Sequence, residues 1–347
     1  IVTTADATID MSKATTVTEL AILSDKAVNG TGGATDLSPV TAEPFNILTG
    51  VDAADTFNLT GTALATLNYF GDNDSNQTED SSEAQIFNAV TLANNSVAAL
   101  AVNINSSLDV DEGASSYTLG KLTAHGVTDM TVKISNEQTT SGKIVTVTTV
   151  NNVYAKNLAN LSVTAGGFVN LGLVSGNATN NNLITLDASG VGRDFAVQVN
   201  SLGDAAVVKG GKGDNWIDGR NSAGKSATYT GSTTATNTIY AASGNDTVTT
   251  GSGIDIISVD RGQNVVSSGA GNDFIVGSNQ DNTVSVGSGY NLAKFNQVFA
   301  ADGTTLGNTG LVHTAATNTL AVEGGVGTAI VYSSAGAIVQ EVNLASM

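Results

Sequence analysis

Six oxygen-bearing side chains recur at every ninth residue: Asp246, Asp255, Asn264, Asp273, Asn282 and Asn291. Carboxylate and amide oxygens are ligands for hard cations, and the carboxylates add a charge that the amides lack. Two residues before them stand Gly244, Gly253, Gly262, Gly271, Gln280 and Gly289, and two residues after them Val248, Ile257, Val266, Ile275, Val284 and Ala293. The stretch 241–294 divides into six consecutive nonapeptides with no inserted or deleted residue: AASGNDTVT, TGSGIDIIS, VDRGQNVVS, SGAGNDFIV, GSNQDNTVS and VGSGYNLAK.

A fixed period is the mark of a repeat architecture. Each unit has a turn half, where Gly permits positive φ and Asp or Asn tolerates it, and a strand half that buries its eighth side chain. One unit alone buries nothing. Stacked two units per turn, the six give three coils, whose eighth-position side chains fill a thin core and whose backbones pair at roughly 4.8 Å spacing. The predicted fold of this stretch is a parallel β-roll.

The nonapeptides resemble GGxGxDxUx, the calcium-binding repeat of the RTX (repeats-in-toxin) proteins. That resemblance implies calcium held between sixth-position carboxylates and turn carbonyls of units two apart. On one side the ligands are then Asp255 and Asp273, with the turn residues Gly253 and Gly271, followed by Asn291; on the other they are Asp246, Asn264 and Asn282. The pair Asp255 and Asp273 makes the best site. The chain departs from the family pattern in its first two Gly, mostly replaced by Ala, Ser, Thr or Val, and in its sixth-position Asn residues, which implies fewer or weaker sites. Two readings of the sixth position stand side by side: a bound ion, or a hydrogen-bonded ladder of Asn and Asp along the stack. Upstream copies are GGKGDNWID, with Asn215 in sixth place and Asp214 and Asp218 as candidate ligands, and STTATNTIY in the same frame as the six.

A second candidate ion site is the acidic loop GDNDSNQTEDSSE. Counting Asp72 as one, Asp74 is three, Asn76 five, Asp80 nine and Glu83 twelve, the ligand spacing of a calcium loop. Gln77 replaces the glycine that makes the sharp turn in an EF-hand, and no amphipathic helix flanks the loop. It is read either as a calcium loop between strands or as a solvated acidic loop. The cluster Asp109, Asp111 and Glu112 is read as a turn.

Composition bounds the function classes. Lys and Arg number 13 against 31 Asp and Glu, a net charge of −18. Such a chain repels nucleic acid and anionic membranes and attracts divalent cations. No apolar run reaches the roughly 18 residues a membrane span requires. There is no Cys, so neither disulfides nor thiolate metal sites exist, which suits an extracellular protein stabilised by calcium. The chain begins at Ile1 and shows no signal peptide, as a processed chain or a portion of a longer one would.

With 39 Gly, two Pro and abundant Thr, Asn, Val and Ala, the chain is expected to be all-β: a β-roll preceded by irregular β-solenoid or β-sandwich rungs. Segments beginning at Leu92, Leu122, Leu161 and Leu186 each place a Leu, a small-residue turn and an alternating strand, and the stretch from Lys143 supplies another rung. Four regions are predicted: 1–87, an N-terminal β region with the acidic loop; 88–204, irregular rungs; 205–294, the calcium β-roll; and 295–347, a cap carrying Phe295 and Phe299, then a hairpin.

No catalytic constellation is legible. His125 and His313 are the only histidines, neither in metal-ligand spacing, and no nucleophile elbow, P-loop or dinucleotide fingerprint is present. Trp216 is read as a packing residue. The expectation is a protein that is not an enzyme. Long, acidic, Cys-free and rich in Thr and Asn, with LDASG-type rungs running into nonapeptides, the chain resembles the RTX-type surface-layer (S-layer) proteins of Gram-negative bacteria. That resemblance implies a calcium-dependent structural protein of the cell surface, exported by a type I system. Its partners would be copies of itself in a lattice and a cell-surface polysaccharide, with no nucleic acid and no membrane insertion. The alternatives are an RTX adhesin or ligand-binding surface protein, and the non-catalytic part of a secreted hydrolase.

Overall fold

A computed structural model describes residues 2–3, 7–10, 17, 19–23, 47–50, 56–60, 63–70, 84–87, 89–93, 95–105, 116–135, 147–176, 182–222, 225–277, 283–286, 290–295, 310–313, 319–323, 328–332 and 338–343. Every regular element among them is a strand. The chain divides into two compact units, one of Ile1–Thr185 with Gly190–Val197 and one of Leu186–Ser189 with Gln198–Met347.

The first unit is a parallel β-solenoid. Three successive coils carry three strands each: Ala84–Phe87, Ala89–Ala93 and Ala99–Asn105 in one, Ser116–Leu119, Leu122–Ala124 and Asp129–Ser135 in the next, then Val147–Val150, Asn152–Tyr154 and Asn160–Ala165. Each strand pairs in parallel with its counterpart one coil on, which decides between the two expected arrangements in favour of the solenoid. Period-two alternation turns Met130, Val132 and Ile134 inward and leaves Asp129, Thr131 and Lys133 outside. The columns Leu100–Met130–Leu161 and Val102–Val132–Val163 run through neighbouring coils.

That register corrects the rung alignment read from sequence. Leu161 stacks on Met130, not on Leu122, and Leu122 stacks on Val90, not on Leu92. Several apolar residues of equal size offer equivalent starting points, and backbone pairing at the corners chooses among them. At one such corner Asn95 Nδ2 donates to the Leu64 carbonyl at 3.0 Å, and a Cβ on Gly126 would overlap the Asn95 carbonyl oxygen.

The second unit has two strands per coil. On one side of its core lie Leu202–Lys209, Ala227–Thr230, Thr247–Thr249, Val265–Gly269 and Thr283–Val286; on the other lie Asn215–Asp218, Asn237–Tyr240, Asp255–Ser258, Phe274–Gly277 and Tyr290–Phe295. Consecutive members of each row pair in parallel. The eighth positions form the core columns Val248–Val266–Val284 and Ile239–Ile257–Ile275. Ile239, Val248, Ile257 and Ile275 have no exposed surface. The β-roll is thus built as the nonapeptide period requires.

Two differences follow from the pairing. The ladder does not stop at Lys294: Gly310–His313, Thr319–Glu323 and Thr328–Tyr332 extend it in parallel before Ile338–Asn343 turns back antiparallel on Thr328–Tyr332. A further unit, SAGKSATYT at 222–230, also belongs to the roll, since Ala227 and Tyr229 hold the sixth and eighth places beside Ala206 and Val208. Phe299 and the acidic cluster at 109–112 lie outside the described residues.

Candidate metal centre

Among the described residues, the sixth residue of a repeat lies at the turn-to-strand junction and faces the interior of the roll. Asp246, Asp255, Asn264, Asp273 and Asn291 are all buried, as are Asn215 and Asn237 of the upstream copies. Burial at this place is unusual for a carboxylate and demands partners. One partner is constant. A side-chain oxygen reaches the main-chain N–H one coil earlier: Asp246 Oδ1 accepts from Ala227 at 2.8 Å, Asp255 Oδ1 from Asn237 at 2.9 Å, Asn264 Oδ1 from Asp246 at 2.9 Å, Asp273 Oδ1 from Asp255 at 3.1 Å, and Asn291 Oδ1 from Asp273 at 2.9 Å. The hydrogen-bonded ladder expected as one reading is therefore present.

It uses only half of each carboxylate. The second oxygen, Oδ2, of Asp246, Asp255 and Asp273 is buried without a partner. Among the described residues no Lys or Arg forms an ion pair with them; Lys209 pairs instead with Asp187 and Arg220 with Asp218. Burial pushes the Asp246 carboxyl up to about 7 and the Asp273 carboxyl above its ordinary value, a rise that the Ser268 hydroxyl beside Asp273 and the Asp255 main-chain N–H oppose and the neighbouring Asp255 charge adds to.

The turn backbone supplies the other half of a cation site. Position-four glycines of successive coils lie so close that a Cβ on Gly271 would overlap the Gly253 carbonyl oxygen, and one on Gly262 that of Gly244. Gly262 and Gly271 also have φ of 128° and 141°, a region closed to residues with a side chain. Only glycine lets the carbonyls of adjacent turns converge in this way. Among the described residues no three acidic, imidazole or thiol side chains come together, so carbonyls have to complete any ligand set. Orphaned buried carboxylate oxygens beside turn carbonyls, all hard donors, fit calcium. Asp255 and Asp273, with Gly253 and Gly271, are the residues that would hold it on one side, and Asp246 on the other; the ion would supply charge neutralisation and cross-link neighbouring turns.

Other predicted ligands are placed elsewhere. Asp214 is exposed, and its Oδ1 accepts the N–H of Thr236 one coil later at 2.9 Å, while Asn215 takes the buried place. Asp218 is buried, but Arg220 engages it through Nε at 2.9 Å and a terminal nitrogen at 2.7 Å. It is an ion-pair residue, not part of the carboxylate ladder. Asn282 and the loop carrying Asp72, Asp74, Asn76 and Glu83 lie outside the described residues. Trp216 is not buried packing: it is 40% exposed, edge-on to Tyr240 at 6.5 Å, with the Arg220 guanidinium 4.2 Å from the Tyr240 ring centroid.

Comparison with known proteins agrees with this geometry. Residues 203–223, 233–257 and 258–293 match the family model described as the RTX calcium-binding nonapeptide repeat (4 copies). No curated protein and no solved structure gives a match. The matched residues cover the coils whose carboxylates and glycines build the centre, so the second unit of this chain carries a calcium-binding β-roll of the RTX repeat family.

Proposed function

We propose that this chain is a calcium-dependent structural protein of the bacterial cell surface that assembles with copies of itself into a surface layer, without turning over a substrate. RTX repeats indicate a calcium-binding, secreted protein. The observation that carries the finer reading is an apolar row on one outer face of the roll. Trp216, Thr238, Ile256 and Phe274 stand in register on successive strands, and Trp216, Ile256 and Phe274 are 40%, 39% and 36% exposed. Large apolar side chains repeated on an outer sheet face favour contact with another surface. A net charge of −18 opposes the approach of like chains until divalent ions reduce it. A cell-surface polysaccharide is the proposed anchoring partner.

Light scattering and electron microscopy of the full chain test this. Assembly into sheets in millimolar calcium, absent in sodium chloride of equal ionic strength, is the expected result. A protein that stays monomeric in calcium, or assembles equally in sodium chloride, overturns it. The cluster of Trp216, Tyr240 and Arg220 favours the second reading, a ligand-binding surface protein or adhesin, because an exposed indole edge-on to a tyrosine that carries a guanidinium suits a sugar.

A further inference from the structure

Turns of the roll that differ in their sixth residue differ in what fills them. Asp246 and Asn264 occupy the same place on the same side, and each uses Oδ1 to accept a main-chain N–H one coil back. The other terminal atom separates them. Asn264 Nδ2 donates to the carbonyls of Asp260 and Gly262 at 3.0 and 3.1 Å. Asn237 Nδ2 donates to Ser232 and Ala235 at 3.1 and 3.0 Å, and Asn215 Nδ2 to Gly211 and Gly213 at 3.2 and 3.0 Å. In Asp246, Asp255 and Asp273 the corresponding atom is an oxygen, buried and without a partner. An ionised carboxylate donates nothing, so at these turns acceptor faces acceptor unless a positive charge stands between.

We propose that the sixth-position asparagines are built-in substitutes for calcium: their amide groups close the turns of Asn215, Asn237 and Asn264 without an ion and confine the calcium requirement to the turns of Asp246, Asp255 and Asp273. The amide is nearly isosteric with the carboxylate, and its N–H groups supply to the turn carbonyls the partial positive charge that the ion would supply. The coils around Asn215–Asp218 and Asn237–Tyr240 thus form an ion-free start to the roll. The first calcium-requiring coil on that side docks directly onto it, because Asp255 Oδ1 accepts both the main-chain N–H and the Nδ2 of Asn237, at 2.9 and 2.8 Å. The two acid turns at 255 and 273 are bracketed by amides, Asn237 one coil before and Asn291 one coil after. The row of ions therefore has ends written into the sequence. The inference rests on the calcium-binding reading of these repeats and is independent of the assembly proposal.

Hydrogen exchange of the full-length chain, with and without calcium, tests it. In the wild-type protein, peptides covering 215–218 and 237–240 should stay protected in chelator, while those covering 255–258 and 274–277 exchange about tenfold or more faster there than in calcium. Asn237→Asp should move the boundary: 237–240 loses protection in chelator, regains it in calcium, and the chain binds additional calcium by calorimetry. Asp255→Asn with Asp273→Asn should do the reverse, keeping 255–258 and 274–277 protected in chelator and binding less calcium, so the argument does not depend on one variant folding. Equal loss of protection across 215–277 in chelator overturns the proposal, as does an Asn237→Asp chain whose protection and calcium binding match the wild type. Protection over 255–258 and 274–277 that ignores chelator in the wild-type chain strikes the calcium reading itself, and with it the proposal.

Discussion

Asp273 Oδ1 accepts a hydrogen bond from the main-chain N–H of Asp255, eighteen residues earlier in sequence, at 3.1 Å, and the Oδ2 of each carboxylate is buried without a partner. One oxygen holds the coils together and the other makes no hydrogen bond. Placing two carboxylates in adjacent turns of a thin core destabilises the roll when both are charged, and a divalent cation turns that cost into a cross-link.

The calcium-free roll should therefore weaken as pH rises. The Asp246 carboxyl is pushed up from its ordinary 3.8 to about 7 and that of Asp273 is raised as well, so these two groups of the roll bind more protons folded than unfolded. Stability is fully present below the unfolded value and is lost as pH rises through the folded one. Urea unfolding followed by circular dichroism in calcium-free buffer should give a lower midpoint at about pH 7.5 than at about pH 4.5. A midpoint that rises over this window contradicts the buried, unpaired state of these carboxylates.

Gly271→Ala should weaken the roll by about 1–3 kcal/mol, since the residue would adopt a left-handed φ and its Cβ would meet the Gly253 carbonyl. The calcium concentration at half-folding should rise. An unchanged folding midpoint would show that the adjacent turns do not approach as described.

Ile257 sits in the middle of a core column between Ile239 and Ile275 and has no exposed surface. Ile257→Ala should cost about 2–5 kcal/mol, because the thin core has no second layer to collapse into the cavity. Ile256→Ala, one residue away on the outer face, should cost far less. Equal losses would contradict the two-residue alternation of this strand.

Asp218→Asn should leave calcium binding unchanged while lowering thermal stability, since this carboxylate is engaged by Arg220. A drop in bound calcium on calorimetric titration would return Asp218 to the ion sites.

The roll was legible because its signal is a strict period: glycine, oxygen ligand and apolar residue at fixed places in 241–294 name both the turns and the core. What the period does not carry is the direction of the sixth side chain. Asp and Asn read as exposed turn residues by type, and their burial follows only from stacking one turn on the next. The unit that ends at Thr230 carries no nonapeptide signature, because Ala227 stands where an oxygen is expected and Gly231 shifts the frame before Ser232. Its usable signal was the alternation Ala227, Tyr229 with Thr between and after. Asp218 looked like a ligand because local sequence does not show that Arg220 folds back two residues onto it. In the first unit, repeated Val, Leu and Ala of similar volume leave register degenerate, and backbone corners such as Asn95 against Gly126 decide it.

The central claim is that the turns of Asp255 and Asp273 hold calcium between them. Calorimetric titration of the full chain with calcium, wild type against the Asp255→Asn, Asp273→Asn double variant, addresses it directly. The account predicts that the wild-type chain binds calcium and that the double variant loses a class of sites while remaining folded by circular dichroism. Identical isotherms for the two folded chains would contradict it.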